Sequence, residues 1–531
     1  MPSETTEILA ARYGARYRWY ATVTVMLGTI SAVLTTTTVN VAIPDIMGAF
    51  GIGQDRAQWL STGALAAMTV GMLLNAWLIS RYGQRRTFIT ALCVFVVALV
   101  AAGSAPNETV LIGCRIVQGG VAGILQPLSM YTLFRVFPPH QRGTAMGLFG
   151  MSVILGPALG PTLGGIMIEH FNWRYIFYVA VPVAALAILL GTMFMPEREE
   201  DSARSRFDGL GFALLAVSLA CLLTGLSSGQ REGWYSDYIV GLLVAAGACA
   251  AGFLAWELYT PQPLVNLRVL ANGQFTSAAV VACLFGVGLF GSTYLVPLFV
   301  QTVQGYTPYA SGLLLMPGGL ILGLFMPISG FLSDRVPARG LVIGGLLCFI
   351  VSSYWLAHVD VNSAFWTVAG SVVLSRVGLA LIKPSLNVTA LRALRPELLG
   401  QGAGMINFAR QLGGAFGVNL LSVTLDRRTF FHSDVYTSMQ TPDNTATAEL
   451  LRSLQMLLAQ AGVAPDVQMA GALHFLGRVV HAQAYTMGFR DSFMIVAIIF
   501  TIGLIPAWIM GRRAVAPPRA AAAPGPGLTA A

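Results

Sequence analysis

The sequence predicts an all-α membrane protein of fourteen transmembrane helices, built as two six-helix halves with two further helices inserted between them. Its apolar composition, the number of long apolar stretches and an internal repeat of landmarks carry that expectation. Of 531 residues, 55% are hydrophobic and 10% charged, and the mean hydropathy is +0.70. A water-soluble domain carries about a quarter charged residues, so this chain falls far short of covering a water-facing surface. A hydrocarbon core about 30 Å thick takes about 20 apolar residues per helical crossing. Apolar stretches recur near 20–43, 57–80, 87–104, 110–134, 145–168, 175–195, 208–228, 238–257, 275–301, 309–331, 341–357, 364–390, 402–425 and 492–511. Fourteen crossings use roughly 280 residues, which leaves loops and tails but no second large domain.

Three landmarks repeat at a nearly constant spacing: Arg81 with Arg335 (335−81=254), Arg115 with Arg376 (376−115=261), and Gly156 with Gly413 (413−156=257). A parallel duplication of six-helix halves accounts for them and is a usual transporter plan. The expected organisation is then an N-terminal segment 1–19, a six-helix half 20–195, a loop and the two inserted helices 196–257, and five helices of the second half 258–425. A long polar segment 426–490, the last helix 491–511 and a disordered tail 512–531 follow.

The net charge of +8 comes from 31 basic residues, all arginine except Lys383. A basic balance can mean nucleic acid, but these residues flank apolar stretches and act as topology signals. Placing the N-terminus in the cytoplasm puts Arg81, Arg85, Arg86, Arg135, Arg142, Arg198, Arg204, Arg206, Arg268, Arg335, Arg339, Arg392 and Arg395 in inside loops, with Arg512, Arg513 and Arg519 in the tail. Short outside loops then hold only Arg56, Arg174 and Arg231. This asymmetry favours both termini inside, and the arginines of 426–490 do not overturn it because long loops translocate largely regardless of charge. The first span exceeds 20 residues without a small-x-small cleavage site, so it is an uncleaved anchor. The six cysteines fall inside apolar stretches, so no disulfide framework, metal site or cofactor is expected. A hydrolase would need a nucleophile with a histidine base, and the six histidines lie in loops or at their edges. A channel would not need the kinks and duplicated turns described next.

Spans two and three are joined by a basic turn, Ser80-Arg81-Tyr82-Gly83-Gln84-Arg85-Arg86, and a second copy, Gly330-Phe331-Leu332-Ser333-Asp334-Arg335, adds an anionic partner. Arg81, Gly83, Arg85, Asp334 and Arg335 are expected to latch neighbouring helix ends, where arginines meet carbonyls and the negative ends of helix dipoles; fixing topology alone is the alternative. In span four Arg115 lies within an apolar helix, with Gln118 on the same face three residues on. An arginine at membrane depth is functional by default, and snorkelling to the interface is the alternative. In span five Ser152, Gly156, Gly160 and Gly164 form a stripe of small residues, and Pro157 and Pro161 bend the axis. A static tight contact would ask for the glycines but not for Gly-Pro twice, so a packed, kinked helix at a moving seam is expected.

These residues resemble the major facilitator superfamily, specifically its fourteen-span drug:proton antiporter branch of the EmrB/QacA type. The basic turn is similar to the family's loop 2-3 signature, Arg115-Ile116-Val117-Gln118-Gly119 to its span-four motif, and Gly156-Pro157-Ala158-Leu159-Gly160-Pro161 to its antiporter motif. Val39-Asn40-Val41-Ala42-Ile43-Pro44, Trp173-Arg174-Tyr175-Ile176-Phe177, Phe207-Asp208-Gly209-Leu210-Gly211, Pro297 to Gln301, Pro317-Gly318 and Arg410-Gln411-Leu412-Gly413-Gly414 complete a set in the right order from about residue 20 to 511. The resemblance implies a carrier in a bacterial inner membrane that rocks its halves about a central site and exchanges inward protons for outward small hydrophobic substrates. It assigns proton coupling to Arg115 and antiport to the span-five motif. The central site is expected to gather Arg115, Gln118, Asn40, Thr35, Arg410 and Gln411. The long outer segment implies a periplasmic adaptor and an outer-membrane channel as partners, beside membrane lipid and without nucleic acid.

Two departures from the family pattern matter. Thr35 stands where the family usually has an aspartate in span one, and Ser80 replaces the usual loop 2-3 aspartate. A threonine hydroxyl does not titrate in the working range. Arg115, Arg376, Lys383 and Arg410 lie within spans while Asp45, Glu169, Asp208, Glu257, Asp426 and Asp491 lie near span ends. Because buried charge is tolerated mainly when paired, the expected cargo is an anionic or weakly acidic lipophile rather than a cationic dye. A proton-independent carrier of the same fold is the alternative. In the outer segment, apolar residues at helical spacing within 441–469 and 470–484, separated by Gly462 and Pro465, predict a helical hairpin.

Overall fold

The computed structural model describes residues 6–197, 207–261, 263–441 and 443–510; Arg198, Arg204, Arg206, Arg512, Arg513, Arg519, the tail 512–531 and the side chain of Pro161 lie outside what is described. After a short α1 (Thr6–Tyr13), the first half comprises α2 (Tyr17–Phe50), α3 (Gln54–Tyr82), α4 (Gln84–Gly103), α5 (Glu108–Val136), α6 (Arg142–His170), and a sixth span broken into α7 (Tyr175–Tyr178) and α8 (Ala180–Phe194). The inserted pair is α9 (Gly209–Glu232) and α10 (Asp237–Tyr259). The second half comprises α11 (Gly273–Thr302), α12 (Pro308–Arg335), α13 (Ala338–Leu356), α14 (Phe365–Arg392), α15 (Leu399–Ser438), α16 (Thr445–Gln460), α17 (Pro465–Ile502) and α18 (Leu504–Met510). No strand occurs among the described residues.

Thirteen described segments are long and apolar enough to cross a membrane. The remaining span expected from the sequence, 402–425, lies in α15, whose Asn407, Arg410, Gln411 and Asn419 dilute its apolar character. At 40 residues α15 is about 60 Å long, twice the hydrocarbon thickness, so it runs well past the membrane. The helix that carries the last span likewise begins at Pro465, far ahead of 491. His432 on α15 approaches Asp491 on α17 at 2.8 Å, and Arg428 pairs with the same carboxylate. These contacts hold the two long helices together, and α16 packs on α17 through Leu458 against Gly471.

Glycine sets the helix spacing in both halves. A Cβ on Gly119 or Gly123 of α5 would stand 2.0 Å from the Ala64 carbonyl and 2.1 Å from the Met68 carbonyl of α3. On α6, which runs unbroken through Pro157, a Cβ on Gly156 would stand 2.9 Å from the Leu34 amide nitrogen and one on Gly160 would stand 2.0 Å from Thr37 Oγ1, both on α2. The second half repeats this: a Cβ on Gly413 of α15 would stand 2.1 Å from the Cys283 carbonyl of α11. The halves themselves meet through glycine, with α6 against α12 at Gly143, Gly147 and Gly330, and α15 against α3 at Gly404. Gly83 makes the one-residue turn between α3 and α4 at φ 81, a conformation open to glycine at little cost.

The stripe on α6 is graded. Gly156→Ala must push the α2 backbone away and Gly160→Ala must displace the Thr37 side chain, at about 1–3 kcal/mol each for overpacking, whereas a Cβ on Gly164 would meet the Thr38 carbonyl at 3.2 Å and needs only a small shift. Thermal unfolding of the detergent-solubilised protein should show lower midpoints for the first two variants and a near-parental one for Gly164→Ala. Equal losses at all three positions would contradict this packing.

Candidate substrate pathway between the halves

Arg115 is buried, 1% exposed, and does not snorkel. Its Nε donates to the Leu60 carbonyl of α3 at 3.2 Å, and its Nη1 donates to the Thr35 carbonyl of α2 at 3.2 Å and to Gln118 Oε1 at 2.9 Å. Gln118 Nε2 in turn donates to the Ala98 carbonyl of α4 at 3.1 Å. One arginine and one glutamine thus bind four helices of the first half using neutral oxygens alone. Thr35 contributes its main chain, since its hydroxyl donates to Ala32 O at 3.0 Å within α2. Asn40 is exposed and accepts from Ser61 Oγ at 2.8 Å, apart from this cluster.

The repeat is visible here as geometry. Arg376 on α14 reaches Ser292 Oγ at 3.1 Å and Thr293 Oγ1 at 3.3 Å on α11. Ser292 is the counterpart of Thr35 at the Gly156-to-Gly413 spacing (292−35=257). Each half therefore carries its own buried arginine, satisfied by neutral oxygens of its own half that include one or more on its first long helix.

The other two cations of the spans behave differently. Arg410 on α15 is buried and its Nη2 donates at 2.9 Å to Gln126 Oε1 on α5, across the seam between the halves. Its Nε and the Gln126 Nε2 have no partner, and neither does the buried Gln411 Oε1. Lys383 on α14 is 3% exposed and also faces the other half, with its Nζ 5.4 Å from the Phe149 ring of α6. Asn407, one turn from Arg410, donates to Met130 Sδ on α5 at 3.3 Å. Among the described residues the only buried carboxylates are Asp208 and Glu257, and both belong to the inserted pair. There Asp208 Oδ1 accepts from Gly211 N and from Trp256 Nε1, each at 2.9 Å, and Glu257 Oε2 accepts from Val265 N at 3.3 Å.

So the residues named as one central site fall into separate groups: Arg115, Gln118 and Thr35 rivet the first half, Asn40 stands aside, and Arg410 with Gln411 lies on the seam. Gln126 joins the seam group, although the sequence reading did not single it out. A signal existed: Gln126-Pro127 and Lys383-Pro384 stand at the same 257 spacing (383−126=257), as do Gly150 and Asn407 (407−150=257).

The latch residues also divide. Asp334 at the end of α12 accepts from Gly143 N at 2.6 Å and from Thr144 N and Thr144 Oγ1 at 2.8 Å each, capping the first turn of α6 in the other half. A carboxylate at a helix N-terminus gains from both orphan amides and the dipole. Arg335 lies over the Phe331 ring at 4.1 Å. The first copy works within its own half: Arg85 Nη1 pairs with Glu197 at 3.0 Å, its Nη2 donates to the Thr192 carbonyl, and Ser80 Oγ donates to Trp77 O at 2.8 Å. Arg392 adds a second tie between halves, donating to Pro139 O at 2.8 Å. The halves are therefore closed at the end that carries the basic loops.

The family model described as Major Facilitator Superfamily matches residues 25–418. The chain belongs to the Major Facilitator Superfamily. It is thus a multi-pass membrane transporter rather than an enzyme. Its relatives in the superfamily include the multidrug export protein EmrB of Escherichia coli K12, 30% identical with 82% of this chain and 86% of EmrB covered, and the fatty acid resistance protein FarB of Neisseria gonorrhoeae, 29% identical over 93% and 96%. The solved proton:xylose symporter XylE shares the superfamily fold at a TM-score of 0.61, 15% identity, and coverage of 93% and 96%.

Removing the Asp334 carboxylate orphans three donors across the seam, a cost of about 1–3 kcal/mol to the closed end. Spin labels on the α3–α4 and α12–α13 turns of Asp334→Ala should report a shift toward longer distances and transport should fall. Parental distances in that variant would show that Asp334 does not hold the halves together.

Proposed function

We propose that the protein is a secondary active exporter of lipophilic weak acids and other hydrophobic small molecules, working by alternating access in a bacterial inner membrane with both termini cytoplasmic. The observation that carries this reading is the charge of the buried middle of the seam, where Lys383 and Arg410 lie and, among the described residues, no buried carboxylate does; Asp334 sits at the closed end, on the first turn of α6. A cationic drug would add positive charge to two unneutralised cations in a low-dielectric site, while an acid supplies the missing counter-charge. The names of the relatives, EmrB a multidrug exporter and FarB a fatty acid resistance protein, agree with small hydrophobic cargo. The basic loops lie at the closed end, which fits a carrier caught facing the opposite side.

Exchange for protons is the coupling we propose, in line with the Gly156, Pro157, Gly160, Pro161 and Gly164 motif on α6. Thr35 in the place of the family's span-one acid favours a second reading, a proton-independent carrier of the same fold. The long helices α15 and α17 with α16 form the surface proposed for a periplasmic adaptor that leads to an outer-membrane channel. Phe430 (72% exposed), Met456 and Leu457 support this, because exposed apolar side chains grouped on a protruding element mark interaction surfaces.

Uptake into inverted vesicles decides between these readings. With a proton gradient, weak acids should accumulate and quaternary dyes should not, and Arg115→Ala should abolish accumulation by unfastening α5 from α2 and α3. Dye accumulation equal to that of acids would contradict the substrate reading. Gradient-independent movement of acids would favour the proton-independent carrier.

A further inference from the structure

The seam contains more hydrogen-bond donors than acceptors. Arg410 Nε, Gln126 Nε2 and Asn387 Nδ2 are buried without partners, and Asn387 lies one turn from Lys383 on α14. Lys383 enters no ion pair among the described residues, and it and Arg410 are both buried on neighbouring helices of the second half, facing α6 and α5 of the first. Two like charges held near each other away from water are costly unless an anion joins them. A guanidinium presents a planar fork that fits a carboxylate with two parallel hydrogen bonds. Arg410 has one prong of that fork, Nε, free and the other, Nη2, on an amide oxygen, a neutral acceptor that a carboxylate outcompetes.

We propose that Lys383 and Arg410 together bind the carboxylate of the substrate, and that Gln126 holds the place of that carboxylate in the empty carrier. This rests on the reading of the protein as an exporter of lipophilic acids. Lys383 comes from α14, Arg410 from α15 and Gln126 from α5. An arriving carboxylate takes the Nε and Nη2 donors of Arg410, releases the Gln126 oxygen and neutralises Lys383. The tie from α15 to α5 is thereby exchanged for a tie from α15 through the substrate to α14. Binding thus loosens one contact between the halves, which is what a carrier needs if the loaded form is to move. The ring of Phe149 on α6, 5.4 Å from Lys383 Nζ, gives the tail of a lipophilic acid an apolar neighbour beside the charge.

Equilibrium binding to the full-length protein in lipid nanodiscs tests this with decanoate and its uncharged analogue decanamide as probes. Lys383→Met should weaken decanoate by about 10- to 100-fold, the range of a lost charged hydrogen bond, and leave decanamide within about twofold. Lys383→Arg should restore most of the decanoate affinity. Gln126→Leu should tighten decanoate by about 2- to 10-fold, because the carboxylate no longer competes with an internal acceptor. Equal losses of both probes in Lys383→Met would mean a structural role for Lys383 and overturn the proposal. Parental decanoate affinity in that variant would overturn the site while leaving the exporter reading intact. A parental protein that binds neither probe would overturn both.

Discussion

A positive charge placed in a bundle within a membrane must find oxygen close by, and the rest of this structure is arranged around where that oxygen comes from. Arg115 and Arg376 find theirs inside their own halves, from carbonyls, an amide and hydroxyls. Each acts as a fastener that keeps a half rigid. Arg410 and Lys383 look across to the other half instead, where one amide oxygen and one aromatic face meet them. An unpaired cation at the centre of a helix costs about 2.5–3.5 kcal/mol even on the mildest scale. On the function proposed above, the two halves meet at an electrostatically incomplete seam that an anionic cargo would complete.

The closed end obeys the same logic with the opposite sign. Asp334 places its charge on the first-turn amides that α6 cannot pair within itself, so one residue of the second half holds the start of a helix in the first. The equivalent place in the other half is Ser80, whose hydroxyl turns back on its own helix at Trp77, and the start of α15 opposite it is packed by Gly400 against Ala76. One contact across the seam is made by a carboxylate and the other includes the close approach of Gly400 to Ala76 and Ile79, with Arg392 on Pro139 O as a further tie. A carrier must open this end in every cycle, and the Asp334 cap with the Arg392 bond keeps it closed at a modest cost to opening.

The fold was legible because composition and span length are strong signals, and because Arg81 with Arg335, Arg115 with Arg376 and Gly156 with Gly413 repeat at nearly the same spacing. The overlong α15 was harder to anticipate, since the polar run that continues it past 425 carries no apolar stripe, whereas the apolar spacing in 470–484 did mark a helix, which is continuous with the last span in α17. Within the site, the type and face of Arg115 and Gln118 followed from helical spacing, but their partners did not. Main-chain carbonyls leave no mark in a sequence, so the four-helix fastener was invisible until the backbone was placed. Asn40 illustrates the reverse case: it belongs to a recognisable motif yet lies apart, bonded to Ser61. Gln126 was overlooked because a lone glutamine in a long span has no stated partner until α15 is brought beside it.

The central claim is that the seam completes its charge with an anion, so the sign of the charge carried out of the cell tests it most directly. Charge displacement recorded from proteoliposomes adsorbed on a sensor, on a jump in substrate concentration, reads that sign. A lipophilic carboxylate should produce net movement of negative charge in the direction of transport, aided by an inside-negative potential at about 2.3 kcal/mol per charge per 100 mV. A signal of the opposite sign, or currents evoked by cationic dyes and not by carboxylates, would contradict the account.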